Sequence, residues 1–189
     1  MKVFGTILLV VAGLALLGGC AVIGVRNGLI TKDESVKAQW SEIDNQLIRR
    51  ADLIPNLVNT VKGYAAHEKE IFTAVAEARS ALIGAQGPAG KAEAAGAMDS
   101  ALGRLLAISE NYPALKADQS FIRLQDELAG TENRIAVARG RYNTTVKEFN
   151  ASIRRFPGSF FASGLGLERA EYFEVPKGKD VANPPEVKF

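Results

Sequence analysis

The sequence predicts an all-α fold, an elongated antiparallel bundle of three to four long helices behind an N-terminal membrane-anchoring segment. Three observations predict it. From Thr31 onward, large apolar side chains recur at alternating spacings of four and three, the period of a helix packing on other helices. No stretch alternates with period two, as a half-buried strand would. Glycine and proline cluster at a few points, which cut the pattern into long segments joined by short connections, and such helices fold back antiparallel. Hydrophobic residues make up 47% of the 189, with only seven prolines, enough apolar material for a packed core.

The chain opens on Lys2 and an uncharged stretch over residues 3–25. Its first part ends in Leu17-Gly18-Gly19-Cys20, which resembles a bacterial lipoprotein signal: a basic start, an apolar run, small residues, then a cysteine. On that reading residues 1–19 are removed and Cys20 is the lipid attachment site. The competing reading is a transmembrane helix, since 23 residues at helical rise span about 35 Å, enough to cross a bilayer. The placement of the only cysteine favours lipidation. Either way, the chain beyond Arg26 is attached to a membrane, as a cell-membrane or envelope protein with its bundle on the extracytoplasmic side.

Thr31-Lys32-Asp33-Glu34 reads as a capping box that opens the first long helix. Its seam is Val36, Trp40, Ile43, Leu47, Arg50, Ile54, Leu57, Val61, Tyr64, Glu68, Ile71, Val75, Ala78 and Leu82. Only Arg50 and Glu68 interrupt the apolar stripe. Pro55 lies inside the run and predicts a kink rather than a break, because the apolar phase continues through it. Asn56 and Asn59 come next and can satisfy the freed backbone groups.

Residues 84–90, Gly-Ala-Gln-Gly-Pro-Ala-Gly, form the clearest loop. A second helix over residues 91–111 buries Met98, Leu102, Leu105 and Tyr112; its alanine-rich first half is expected to fray or run exposed, and Pro113 ends it. Asp118 is the predicted N-cap of a third helix over residues 119–156. Phe121, Leu124, Leu128, Ile135, Ala138, Tyr142, Val146, Phe149, Ile153 and Phe156 mark its buried face. Gly130 and Gly140 weaken it and are expected to permit close helix approach. Pro157-Gly158 stops it, and residues 160–167 read as a short helix. The expected organisation is thus an anchor over residues 1–25, a bundle over 26–167, and an extended tail over 168–189.

The order and spacing of several strings make the chain resemble one family. They are Arg49-Arg50-Ala51-Asp52-Leu53-Ile54-Pro55-Asn56-Leu57-Val58, then Val61-Lys62-Gly63-Tyr64-Ala65-Ala66-His67-Glu68. Glu110-Asn111-Tyr112-Pro113-Ala114-Leu115-Lys116-Ala117 and Gly130-Thr131-Glu132-Asn133-Arg134-Ile135-Ala136-Val137-Ala138-Arg139 come after them. Arg141-Tyr142-Asn143 and Arg154-Arg155-Phe156-Pro157 complete the set. From about Asn27 on, the chain resembles the LemA family. The resemblance implies an N-terminal membrane segment and then an antiparallel helical bundle outside the cytosol. It supplies no catalytic residues. The lipobox-like cysteine departs from the plain membrane helix more usual in that family.

Chemistry is sparse. His67 is the only histidine; His67-Glu68 begins like a zinc-protease motif, but position 71 is isoleucine, so no metal site is expected. The loop before Lys91 is one residue too long for a phosphate loop, and Ala92 stands where Ser or Thr is needed. No Glu-x-x-His pair exists for a di-iron bundle. No cofactor and no nucleic-acid partner are expected: net charge is only +2 and the charges of both signs are interleaved. The candidate site is a polar layer or partner-binding groove near Pro55, built from Arg50, Asn56, Asn59, Glu68, Glu132, Asn133, Arg134 and Asn143. These features predict a non-enzymatic envelope scaffold or protein-binding module with a protein partner in the envelope. The alternative is a small-ligand sensor, or an enzyme with a polar site near the kink.

Overall fold

A computed structural model describes residues 2–174. Among these residues the structure is all-α, with no strand. Helix α1 runs Lys2–Lys62, α2 Lys69–Gly84, α3 Gly87–Ala107, α4 Pro113–Lys116, α5 Gln119–Arg154 and α6 Gly158–Ala162. Short 3-10 turns follow α3 and α6. Of the tail expected over residues 168–189, only residues 168–174 are described, and they are non-helical; the rest lies outside the described residues, as do the side chains at the start of the predicted signal segment.

Helix boundaries correct the sequence reading in several places. Thr31 caps nothing: it lies inside α1, where its carbonyl accepts a bond from the Ser35 hydroxyl, and Glu34 pairs with Lys37 instead of reaching back. A helix continuing from the apolar segment needs no cap there. The long first helix does not reach Leu82. It ends at Lys62, and residues 63–68 turn the chain before α2. Gly63 is the one helix breaker at this point, and the apolar spacing runs on past it, so periodicity alone could not locate the break. Conversely, the loop over 84–90 shrinks to Ala85 and Gln86, because Gly87 takes φ +69 and Pro88 sits in the first turn of α3, where its missing N–H costs nothing. Pro113 likewise opens α4 after the 3-10 turn rather than simply ending a helix.

The chain divides into two compact units. Of the described residues, one holds 40–142 and 171–174, the other 2–39 and 143–170. The first is a four-helix arrangement whose directions can be read from its contacts. Along α1, Trp40 meets Tyr142 with ring centroids 5.7 Å apart, Arg50 meets Glu132 at 2.6 Å, and Tyr64 just beyond the helix meets Asp118 at 2.8 Å. One number rises as the other falls, so α5 runs antiparallel to α1 there. Arg79 on Ala51 and Lys62 over Phe72 make α2 antiparallel too, while Asp44 with Lys91 and Arg50 with Asp99 make α3 parallel. This is up-down-up-down topology, the product of short connections.

The core of this unit comprises Ile43, Leu47, Ile54, Leu57, Val61, Val75, Leu82, Met98, Leu105, Leu115, Phe121 and Tyr142, all buried. Each large apolar side chain contributes about 1.5–3 kcal/mol before chain entropy is counted. The alanine-rich start of α3 is not frayed: Ala92, Ala94, Ala95 and Ala101 are buried, because small side chains let α3 lie close to its neighbours. Gly130 and Gly140, by contrast, face open space, so neither serves a close approach.

The second unit packs Leu29 and Val36 of α1 with Val146, Phe149, Ile153 and Ala162, all buried. The Asn150 amide bonds Ala170 in both directions at 2.9 Å, its nitrogen donating to the carbonyl and its oxygen accepting from the amide. Phe156, expected on the buried face, is exposed, since α5 ends at Arg154 and the chain turns before it.

Candidate functional site

Arg50 stands where the α1 seam would otherwise be apolar, and its side chain is buried. Its Nη1 lies 2.6 Å from Glu132 Oε2 on α5 and 2.7 Å from Asp99 Oδ1 on α3. One cation is thus clamped between two carboxylates from two helices, while its Nε is buried with no hydrogen-bond partner. About a turn and a half away, the buried Lys91 of α3 lies 3.0 Å from Asp44 on α1. Both cations are buried while the side chains of Asp44, Asp99 and Glu132 stay partly exposed, although the paired Asp44 Oδ1 and Asp99 Oδ1 atoms are themselves buried. The layer ties α1, α3 and α5 at fixed heights.

The remaining predicted residues scatter. Asn133 and Arg134 are exposed and line a shallow open groove with Glu42, Gln46, Val137 and Arg141. Asn56 and Asn59 are exposed next to Pro55 and do not serve the backbone group that proline frees. Arg79 does: its Nε donates to the Ala51 carbonyl at 2.9 Å, the acceptor that the residue at position 55 would normally occupy. Glu68 is not on the seam. It is half-buried in the turn before α2, 3.4 Å from the Tyr112 hydroxyl. His67 is exposed in the same turn rather than on a helix. Asn143 is half-buried on α5 in the other unit. Cys20 is exposed on α1.

Asp44, Lys91, Asp99 and Arg79 escaped the sequence reading. Lysine and aspartate at helical spacing ordinarily mark a solvated face, and only knowledge of which helix lies opposite reveals the pairing. The titratable groups near the turn are shifted by hydrogen bonding. Asp118 is held below the usual carboxylate range, first by the Phe121 amide and then by the Tyr64 hydroxyl. Tyr64 is raised by the same contact. Burial, and then the charge of Glu171, push Tyr142 up to about 12. Among the described residues, no group of three or more His, Cys, Asp or Glu could hold a metal ion.

Leu9, Leu14, Leu16, Leu17 and Ile23 on α1 are 60–75% exposed, an apolar helical surface that none of the described residues covers. Length and composition suffice for this part of α1 to cross a membrane. The chain is therefore a helical-bundle protein whose leading helix begins with an uncovered apolar segment. It belongs to the LemA family, whose profile matches residues 39–189. Among curated proteins it is similar to magnetosome protein MamQ 2 of Paramagnetospirillum magneticum, at 30% identity over 90% of this chain and 73% of that protein. Magnetosome protein MamQ of Magnetospirillum gryphiswaldense is 29% identical over 85% of this chain and 69% of its own length. Protein LemA of Metamycoplasma hominis is 25% identical over 81% of this chain and 70% of its own length.

Proposed function

We propose that this chain is a membrane-anchored, non-enzymatic scaffold or protein-binding module of the bacterial envelope, with its bundle on the extracytoplasmic side. The observation that carries the reading is α1. One continuous helix begins as an uncovered apolar segment and goes on to bury Val36, Ile43, Leu47, Ile54 and Leu57 among other helices. The apolar part asks for lipid and the buried part for a bundle, and no loop separates the two. The titratable groups of the polar layer are spent on one another, which supports a structural role for them. The exposed groove beside Val137, with Glu42, Arg134 and Arg141 around it, offers a mixed-charge docking face of the kind a protein partner uses. The relatives' names describe a magnetosome protein and a LemA protein, neither by a reaction.

Two experiments test the reading. Carbonate washing and flotation should leave the full chain with the membrane, and recovery in the soluble fraction would refute the anchor. A photocrosslinker at Val137 in intact cells should capture one envelope protein, with capture lost in Arg134→Glu; a clean lane would refute the docking role. The anchor itself has two candidate chemistries, a single span and acylation at Cys20. Fatty-acid label in the wild type that disappears in Cys20→Ser identifies acylation, and an unlabelled wild type identifies the span.

A further inference from the structure

We propose that the turn carrying Phe156 and Phe160 is a second membrane contact, which seats α6 in the headgroup layer of an anionic phospholipid surface where α1 leaves the bilayer. The inference rests on the anchor reading and goes beyond it. Val25 is the last residue of the uncharged stretch and Arg26 the first charged residue after Lys2. An open groove begins at this point: Val25, Leu29 and Lys32 of α1 line it together with Ser152, Arg155 and Phe156. From Val25 to Lys32 α1 rises about 10 Å. A headgroup layer is roughly 5–8 Å thick on each side of the hydrocarbon. The groove therefore spans the headgroup layer if residues up to 25 lie in the apolar core.

The side chains here suit that depth. Phe156 is 86% exposed and Phe160 75%, although phenylalanine on a bundle surface ordinarily turns inward. Phe160 packs edge-on against Phe161 with centroids 5.2 Å apart, so the two rings form one apolar projection. Beside Phe156 the groove is lined by two exposed cations, Lys32 and Arg155, against one acid, Glu148, and the exposed Arg154 precedes Arg155 in the chain. Asp33 and Glu34, further along α1, are engaged by Lys37. Exposed aromatic rings beside arginine and lysine suit a surface that enters lipid from the side, rings in the acyl boundary and cations on the phosphates.

The turn is also built to stay there. Gly158 is buried, and a Cβ on it would collide with the Ser152 carbonyl and sit 3.4 Å from Leu29. The missing side chain lets the backbone of α6 rest on α5 and α1, which fixes the rings at the level of the helix exit.

The test uses the full chain reconstituted into vesicles of phosphatidylcholine with or without an equal part of phosphatidylglycerol. Phe156→Trp and Phe160→Trp add an emission that is read against wild type, whose only tryptophan is Trp40. Lipids brominated near the headgroup should lower the added emission roughly twofold in the phosphatidylglycerol vesicles, with aqueous iodide nearly without effect. Bromolipid quenching should weaken in phosphatidylcholine alone and in Arg154→Glu/Arg155→Glu. Protein that floats with the vesicles while iodide, not bromolipid, quenches the added tryptophan overturns this contact and leaves the anchor standing. Equal bromolipid quenching with and without phosphatidylglycerol overturns the anionic preference. Protein that does not float overturns the anchor, and this inference with it.

Discussion

At the scale of single residues, Arg50 and Asp118 carry the clearest consequences. Truncating a buried cation strands its carboxylates, but here Asp99 and Glu132 are 36% and 48% exposed and can recover water. Arg50→Ala should therefore cost about 2–3 kcal/mol, below the range for a fully enclosed pair. Arg50→Met, which keeps the stem packed, should cost less. Urea unfolding midpoints measure both, and an unchanged midpoint in Arg50→Ala would show that the layer stabilises nothing. Asp118 accepts from the amides of Ser120 and Phe121 at 2.8 and 2.9 Å, capping α5 as its position before a helical pattern predicts. Its folded pKa is depressed, so the charged form is favoured by folding. That contribution is present above the ordinary aspartate range and is lost as pH falls through the depressed value. Melting temperature should fall as pH drops below about 4, and Asp118→Asn, which still caps but does not titrate, should flatten that fall. Of the polar layer, Arg50 was legible as a charge on an apolar seam. Asp99 and Lys91 were not, because nothing in a helix's own spacing says which neighbour faces it.

At the scale of helices, the apolar spacing identified the buried faces well: Ile43, Leu47, Ile54, Val75, Leu82, Met98 and Leu105 all sit where the four-three pattern puts them. The ends were less legible. A seam continues in register across a turn when the next helix buries the same kind of residue, which is why α1 and α2 read as one. Glycine had opposite meanings that sequence alone does not separate. At Gly130 and Gly140 an added methyl meets nothing, so Gly130→Ala and Gly140→Ala should each stabilise by about 0.5–1 kcal/mol through helix propensity. At Gly158 the methyl meets the Ser152 carbonyl, so Gly158→Ala should destabilise by about 1–3 kcal/mol. Thermal melts of the three variants decide it, and a stabilised Gly158→Ala would contradict the packing of α6.

At the scale of the whole molecule, the all-α class and the leading apolar segment could be read directly, whereas the chain's return could not. Residues after 167 are short of helical pattern and rich in charge, so they read as tail. The Tyr142 hydroxyl nevertheless donates to the Glu171 carbonyl at 2.8 Å, and Phe173 is buried with its ring 6.2 Å from that of Trp40. A single aromatic is enough to hold an extended strip when a pocket of rings is waiting, and single aromatics leave no periodic trace. Truncation after Ala170 should red-shift Trp40 emission and bring the Tyr142 pKa down from about 12, because both groups gain water. Unchanged emission would show that the strip is dispensable to that cluster.

The proline in α1 does more than interrupt a ladder. By leaving the Ala51 oxygen without its helical donor it creates a docking point, and Arg79 of α2 takes it. One turn to either side along α2 stand Val75 and Ile83, which have nothing to give. A slipped assembly, shifted by a helical turn, would still match grease to grease but would leave the part-buried Ala51 oxygen without its donor. Pro55 thus acts as a vernier mark between two helices whose apolar faces alone would tolerate more than one alignment.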